Sequence, residues 1–207
     1  MKLIQESCEN FAQLLASKSS VPGGGGASAI VGALSVALCS MAGNFTLGKK
    51  KYADVEDDIK IILEKAENLR IKLLELVDED AKAFEPLSQA YSISKDNPER
   101  DEILEQALLN ACKAPLKIIE YCAEVIKLLE EMSEKGSKLL ISDVGCGAYL
   151  CRAAMESAAL NVFVNTISLK NREEAARLET QTEKFLSEYC PRVSEVATKV
   201  NKIVRRI

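Results

Sequence analysis

The chain has 207 residues, 47% hydrophobic and 28% charged. Its net charge of -4 comes without a basic domain and without interleaved arginine and aromatic residues, so we predict no nucleic-acid binding. Histidine is absent, which excludes Ser/His/Asp and Cys/His catalytic arrangements and the usual catalytic zinc sites, so we predict no metal site. The seven cysteines form no CxxC pair, so we expect reduced thiols and a cytoplasmic location.

Helical periodicity dominates the chain, and no alternating strand pattern occurs. We predict an all-α fold with a single domain over residues 1–207, a multihelical bundle of about six helices at approximately 2–17, 26–47, 52–92, 98–133, 142–169 and 171–206. Proline lacks the backbone donor and clashes with the preceding helical turn. We therefore expect a kink or a break at Pro86, Pro115 and Pro191.

The segment from Ser19 to Gly48 contains no charged residue. About 20 apolar residues suffice to cross a membrane, but this segment is rich in Ala, Gly and Ser and has no aromatic belt. We therefore predict a central helix that is buried on all sides, and no membrane association. The predicted helix has a stripe of large apolar residues, which we expect to pack into the core, formed by Val31, Leu34, Leu38, Met41 and Phe45. Another stripe carries small residues, where we expect a second backbone or a flat ligand to come close, and it is formed by Ser28, Gly32, Ser35, Cys39 and Thr46.

Both ends of this segment allow two interpretations. It opens with four glycines, Gly23, Gly24, Gly25 and Gly26. They either adopt positive φ and expose N–H groups to an anion or a polar ring edge, or form a flexible turn. The segment closes with Gly48 followed by Lys49, Lys50 and Lys51. These residues form a helix C-cap with complementary charge, a ligand-binding cluster, or both.

One charged residue interrupts the apolar stripe of the helix predicted at 52–92. The stripe consists of Ile62, Ala66, Leu69, Leu73, Val77, Asp80, Phe84, Leu87 and Tyr91. A carboxylate on such a stripe must be paired, hydrated in a cavity or raised in pKa, and a raised pKa is how enzymes prepare an acid or a base. Asp80 is therefore a candidate catalytic residue, and an ion pair to a neighbouring helix is the alternative.

A second group of polar residues shares one face of the helix predicted at 142–169. The face is formed by Asp143, Gly147, Ala154, Ala158, Asn161 and Asn165. Two amides one turn apart among small residues either hydrogen-bond a neighbouring helix or bind a polar ligand.

Four motifs, taken in order, resemble a known family. They are VPGGGGASA, NFTLGKKKY, VDEDAKAF and SDVGCGAYLCRAAMESAALNVFVN. Together they are similar to the cyclodeaminase domain of formiminotransferase-cyclodeaminase and to its stand-alone bacterial relatives, some of which act as methenyltetrahydrofolate cyclohydrolases. Here the first motif has an extra glycine, and Cys146 stands where a small aliphatic residue is more usual. Neither departure removes an ionisable group.

The resemblance implies a helical bundle that dimerises and binds a reduced folate, with no cofactor beyond that tetrahydrofolate substrate. It implies that the Gly23–Gly26 turn cradles the pterin or its linker, that Lys49 or Lys50 holds folate carboxylates, and that Asp143 pairs with pterin ring nitrogens. Asp80 is the candidate for proton transfer. Further substrate-binding candidates are Ser28, Asn44, Asn161 and Asn165.

The implied reaction converts 5-formiminotetrahydrofolate to 5,10-methenyltetrahydrofolate and releases ammonia. The alternatives are a methenyltetrahydrofolate cyclohydrolase using the same site and a helical binding module without turnover. We also expect a homodimer or a larger homo-oligomer, because the small-residue faces of the helices predicted at 26–47 and 142–169 would be too exposed in a monomer.

Overall fold

A computed structural model describes residues 2–207, in which helices are the sole regular secondary structure. The α-helices are α1 (Cys8–Leu15), α2 (Gly24–Asn44), α3 (Glu56–Tyr91), α4 (Arg100–Ala111), α5 (Lys113–Lys135), α6 (Ile141–Thr166) and α7 (Arg172–Arg205). Three short 3-10 helices lie at Leu3–Gln5, Lys50–Val55 and Lys138–Leu140. The predicted all-α bundle is confirmed.

The six predicted helices become seven because the helix predicted at 98–133 divides at Cys112. Pro115 lies in the first turn of α5. It has no N–H, so the carbonyl of Ala111 loses its helical donor and the break falls one turn before the proline. By contrast, α3 continues through Pro86 and α7 continues through Pro191.

Local signals account for where several helices begin. The Ser7 side chain accepts a hydrogen bond from the N–H of Asn10 and caps α1, and Asn171 caps α7 in the same way through the N–H of Glu174. The first turn of α3 carries three carboxylates, those of Glu56, Asp57 and Asp58. Negative charges there stabilise the helix, because the N-terminal end of its dipole is positive.

Helix α2 lies at the centre of the bundle, between α3 and α6 and against α5. It runs antiparallel to α6, since Gly24 lies opposite Asn161 and the buried Ser35 hydroxyl donates to the carbonyl of Gly147 at 2.8 Å. By length and composition α2 would cross a membrane, but 56% of its most apolar 18-residue window is buried inside the structure. The predicted burial is therefore confirmed for one face of α2, and the prediction that the helix is buried on all sides is wrong, because its other face is exposed.

The orientation of α2 is the reverse of the prediction. Its small stripe is buried, whereas the bulky residues Leu34, Met41 and Phe45 are 53%, 41% and 48% exposed. The reason is close packing: a Cβ at Gly147 would lie 3.1 Å from the Ser35 carbonyl oxygen, so the backbones of α2 and α6 meet where their side chains are small. The small faces therefore cover each other, and the reason given for a dimer from the sequence is wrong.

The C-terminal end of α2 also differs from the prediction. The helix ends at Asn44, and the N–H groups of Thr46 and Leu47 both donate to the carbonyl of Gly43. Gly48 follows with φ of 71°, a conformation that favours glycine. Gly48 thus reverses the chain after the last turn and directs the lysines into the following 3-10 helix.

Candidate active site

A pocket of about 130 Å³ lies where α2 begins, between α3 and α6. Asp80 of α3 lies in this pocket together with the three glycines Gly23, Gly24 and Gly25 and the two amides Asn161 and Asn165. The structure therefore brings together the candidate acid, most of the glycine turn and both candidate amides. They come from distant parts of the sequence, because the antiparallel packing of α2 and α6 brings the start of α2 to the end of α6.

The glycine turn differs from the prediction in its backbone conformation. Gly23 is extended, and helix α2 already starts at Gly24, so positive φ plays no part in this turn. Instead, a Cβ built on Gly25 would lie under 3.0 Å from the Asp80 carboxyl group. Gly25 is required because the carboxylate approaches the backbone of the helix directly. The first N–H groups of α2 have no acceptor inside the helix, and that of Gly26 faces the Asp80 carboxylate.

The pocket favours the neutral, protonated form of the Asp80 carboxyl group more than water would. Within residues 2–207 no Lys or Arg forms an ion pair with Asp80, so the structural alternative has no support in the single chain. Burial raises the pKa of Asp80 from 3.8 to about 6, and the hydrogen bond from the Gly26 backbone acts in the opposite direction. Both protonation states are therefore accessible near neutral pH, as acid–base catalysis requires.

Asn161 and Asn165 present their amides to the pocket from α6. Each Nδ2 donates to a carbonyl one turn earlier in its own helix: Asn161 to Ser157 at 2.8 Å, and Asn165 to Asn161 at 2.9 Å. A Cβ at Gly24 would lie 3.2 Å from both amide atoms of Asn161. These bonds fix both side chains and leave their oxygens as acceptors for a ligand's N–H groups.

Phe84 and Val164 also line the pocket, although neither was predicted as a site residue from the sequence. Each had a usable signal, because Phe84 follows Asp80 by one helical turn and Val164 follows Asn161 by three residues, so each pair shares a helix face. The remaining lining residues gave no signal in the sequence, and they are Ser20, Val21, Ala111 and Pro115.

Several predicted site residues lie elsewhere in the chain. At 1.5 Å per helical residue, Asn44 is about 28 Å from Gly25 along α2, and the exposed Lys49 and Lys50 lie beyond it. Asp143 occupies the first turn of α6, about 27 Å from Asn161 along that helix. Within one chain these four residues do not share the Asp80 pocket, because each is separated from it by most of a long helix.

Ser28 is also outside the pocket. Its hydroxyl is buried and donates to the carbonyl of Gly24 at 2.7 Å, so it stabilises the first turn of α2. Gly26 does not line the pocket either, and it acts through its backbone N–H. As for metals, no group of three or more Cys, Asp or Glu side chains in the described part of the chain has the geometry to hold an ion.

A helical bundle with a small pocket built around one ionisable carboxylate, two fixed amides and free helix N–H groups defines a class of protein that binds a polar small molecule and moves protons on it. The chain belongs to the formiminotransferase-cyclodeaminase family, which it matches over residues 7–184.

Two proteins that this chain matches over nearly their whole length, and one much longer protein, agree with this assignment. The chain is 42% identical over 187 residues to a methenyltetrahydrofolate cyclohydrolase of Methylorubrum extorquens, covering 88% of this chain and 90% of the relative. The fold matches the crystal structure of a formiminotetrahydrofolate cyclodeaminase from Thermotoga maritima with a TM-score of 0.84 and 30% identity, covering 99% and 98% of the two chains. A formimidoyltransferase-cyclodeaminase of Mus musculus is 30% identical over 167 residues, which are 79% of this chain but 31% of that protein.

Proposed function

We propose that the protein converts 5-formiminotetrahydrofolate to 5,10-methenyltetrahydrofolate and ammonia. N10 of the folate attacks the carbon of the formimino group, which reacts as the protonated amidine, and this forms the C–N10 bond and a tetrahedral carbon that carries an amino group. The C–N bond to the amino group then breaks, and the nitrogen leaves as ammonia. The remaining carbon bridges N5 and N10 as a cation. The reaction needs proton transfers and a negative group near the cation, and it neither oxidises nor reduces the folate.

Asp80 supplies both requirements in this proposal. Its carboxylate takes the proton from N10 during attack, and the resulting carboxylic acid gives a proton to the departing amino group. The ionised carboxylate then lies beside the cationic product. The observation that carries the proposal is this carboxyl group, which is half-buried without a cationic partner and whose pKa is raised to about 6, in a family of folate enzymes.

The other pocket residues hold the substrate in this proposal. The oxygens of Asn161 and Asn165 accept N–H groups of the pterin ring, and the N–H groups at Gly24 and Gly25 face its polar edge. Phe84 offers an aromatic side chain against which the ring packs.

A second candidate is hydrolysis of methenyltetrahydrofolate at the same site. The 42% identity to a cyclohydrolase, over 90% of that protein, favours it. Here water adds to the cationic carbon and gives one proton to Asp80. One C–N bond then breaks, the amine nitrogen takes that proton, and the new hydroxyl group loses its own proton to solvent as it becomes the formyl carbonyl. Both reactions pass through a tetrahedral carbon, so the same residues serve both.

Offering each substrate separately distinguishes the two reactions. Purified protein is mixed with 5-formiminotetrahydrofolate, and ammonia release and methenyl absorbance are followed together. In a second experiment, loss of methenyl absorbance is followed with methenyltetrahydrofolate alone. We expect ammonia and methenyl absorbance to appear together in the first. If methenyl absorbance is lost in the second experiment and no ammonia is released in the first, the protein is a cyclohydrolase. If neither compound is turned over, both reactions are refuted and the binding module remains.

We further propose that the protein is a cytoplasmic homodimer and needs no cofactor beyond its folate substrate. All seven cysteines are free thiols, as expected in a reducing compartment. The large apolar side chains exposed on α2 support self-association. That the protein binds neither nucleic acid nor membranes stays a prediction.

A further inference from the structure

The break between α4 and α5 forms part of the wall of the Asp80 pocket. Ala111 is the last residue of α4, Pro115 lies in the first turn of α5, and both line this pocket. Helix α4 packs against α3 and α6, which carry the carboxylate and the amides of the site. Ala111 is 6% exposed and Pro115 is buried. The backbone at the break therefore belongs to the interior surface that surrounds a bound ligand.

The carbonyl oxygen of Ala111 is an acceptor without a donor. Its helical donor would be the N–H of residue 115, which proline lacks. The neighbouring N–H groups are used elsewhere, since that of Leu116 donates to the carbonyl of Cys112 at 3.1 Å and that of Cys112 donates to the carbonyl of Leu108 at 3.2 Å. No other donor to the Ala111 oxygen occurs within residues 2–207. Buried carbonyl groups are rarely left in this state, so the exception calls for an explanation.

The conformation of the break directs this oxygen to the pocket wall. Cys112 keeps helical angles, with φ of -77° and ψ of -19°, so the chain does not turn away between α4 and α5. A helical carbonyl points along the axis toward the residue four positions later. That of Ala111 therefore points toward Pro115, and both residues line the pocket. The oxygen also lies at the C-terminal end of α4, where the helix dipole is negative.

An acceptor of this kind favours an N–H group, and it favours most an N–H group that gains positive charge. In the proposed reaction that group is the amino group on the tetrahedral carbon, which takes a proton and leaves as ammonia. We infer that the Ala111 carbonyl accepts a hydrogen bond from this amino group and orients it toward Asp80 as the C–N bond breaks. The electron pair of the bond goes to nitrogen, and Asp80 supplies the proton. The inference rests on the proposed function, because it names the acceptor for the leaving nitrogen of that reaction.

Pro115 is then a positioning residue, which acts by withholding one N–H. A proline in the first turn of a helix has an ordinary structural explanation, because the N–H that it lacks would have no acceptor in that helix. That explanation predicts no effect on chemistry when the N–H is restored. Pro191 offers the comparison, since it also lies within a helix, α7, but it is exposed and does not line the Asp80 pocket.

Restoring the N–H tests the inference. In Pro115→Ala the new backbone N–H donates to the Ala111 carbonyl and removes the acceptor from the pocket. We expect kcat for ammonia release from 5-formiminotetrahydrofolate to fall about 10- to 100-fold with KM unchanged, as for a lost hydrogen bond to a charged group in the transition state. Pro191→Ala restores the same kind of N–H away from the pocket and should keep wild-type kinetics. Wild-type kcat in Pro115→Ala would overturn the inference.

A substrate analogue separates this effect from damage to the pocket. 5-Formyltetrahydrofolate has an oxygen in place of the leaving nitrogen and offers no N–H there, so calorimetric titration should give the same Kd for wild type and for Pro115→Ala. Binding of the analogue that weakens as much as kcat falls would show a deformed pocket and would also overturn the inference. The proposed function fails separately, since it is refuted when the wild-type protein itself releases no ammonia.

Discussion

The buried charge of Asp80 is expected to destabilise the folded protein as pH rises, and Asp80→Asn measures this effect. Burial raises the pKa of this carboxyl group from 3.8 to about 6, against the hydrogen bond from Gly26. The folded state therefore holds the proton more tightly than the unfolded state. The stability that this provides is complete below pH 3.8 and is lost as pH rises through about 6.

The magnitude follows from the shift in pKa. One pKa unit corresponds to about 1.4 kcal/mol, so ionisation of Asp80 costs at most about 3 kcal/mol at pH 8 and about 1.5 kcal/mol at pH 5. Asn keeps the shape and carries no charge. We expect Asp80→Asn to be more stable than wild type at pH 8, and the difference to shrink by about half at pH 5. Turnover should nevertheless fall by ~10²- to 10⁴-fold, the usual contribution of a general acid–base group.

Urea unfolding at both pH values gives the stabilities, and single-substrate kinetics give turnover and KM. Asp96→Asn is the matched control, because Asp96 is exposed in the loop between α3 and α4 and its replacement should change neither quantity. A different result would refute the reasoning. If Asp80→Asn lost about 3–5 kcal/mol at both pH values, as expected when a buried ion pair is broken, and kept normal turnover, then Asp80 would be structural.

Two further predictions concern the same carboxylate. Because the ionised form takes the first proton, kcat/KM should rise with pH through about 6 and then level off, and a profile that is flat between pH 5 and 8 would contradict this. Gly25→Ala should force the Asp80 carboxylate away from the helix and reduce kcat, with the midpoint of the pH profile shifted. Gly24→Ala is the milder comparison, since its Cβ meets the Asn161 amide at 3.2 Å. Equal kinetics and pH profiles for the two variants would show that Gly25 does not position Asp80.

The sequence allowed the helices and the candidate catalytic carboxylate to be predicted for the same physical reason. The period of 3.6 residues places side chains on faces, so continuous apolar stripes predict helices and one charge within a stripe stands out. Asp80 interrupts such a stripe, and the structure buries it without a cation. The break at Cys112 also followed from a local rule, since Pro115 removes one specific backbone donor.

The inner face of α2 did not follow from local rules. Hydrophobicity predicts that Leu34, Met41 and Phe45 face the core, but the neighbouring backbones come so close that only small side chains fit between them. Which face allows that approach depends on α3 and α6, and periodicity within α2 carries no information about them. The large distance between Lys50 and Gly25, by contrast, could have been predicted from the sequence, because the length of the helix at 1.5 Å per residue gives it directly.

The absence of charge on α2 therefore has two separate causes. Its buried face excludes charge because Ser35 and its small neighbours pack directly against the backbone of α6. Its outer face has no such restriction in a single chain, and the exposed stripe of a surface helix ordinarily carries charged side chains. Leu34 and Met41 are 53% and 41% exposed, so the charged end of a Lys or Glu side chain in either place would reach solvent. The uncharged outer stripe thus needs a cause outside the single chain, and the partner subunit of the proposed homodimer, packed on this stripe, would provide one.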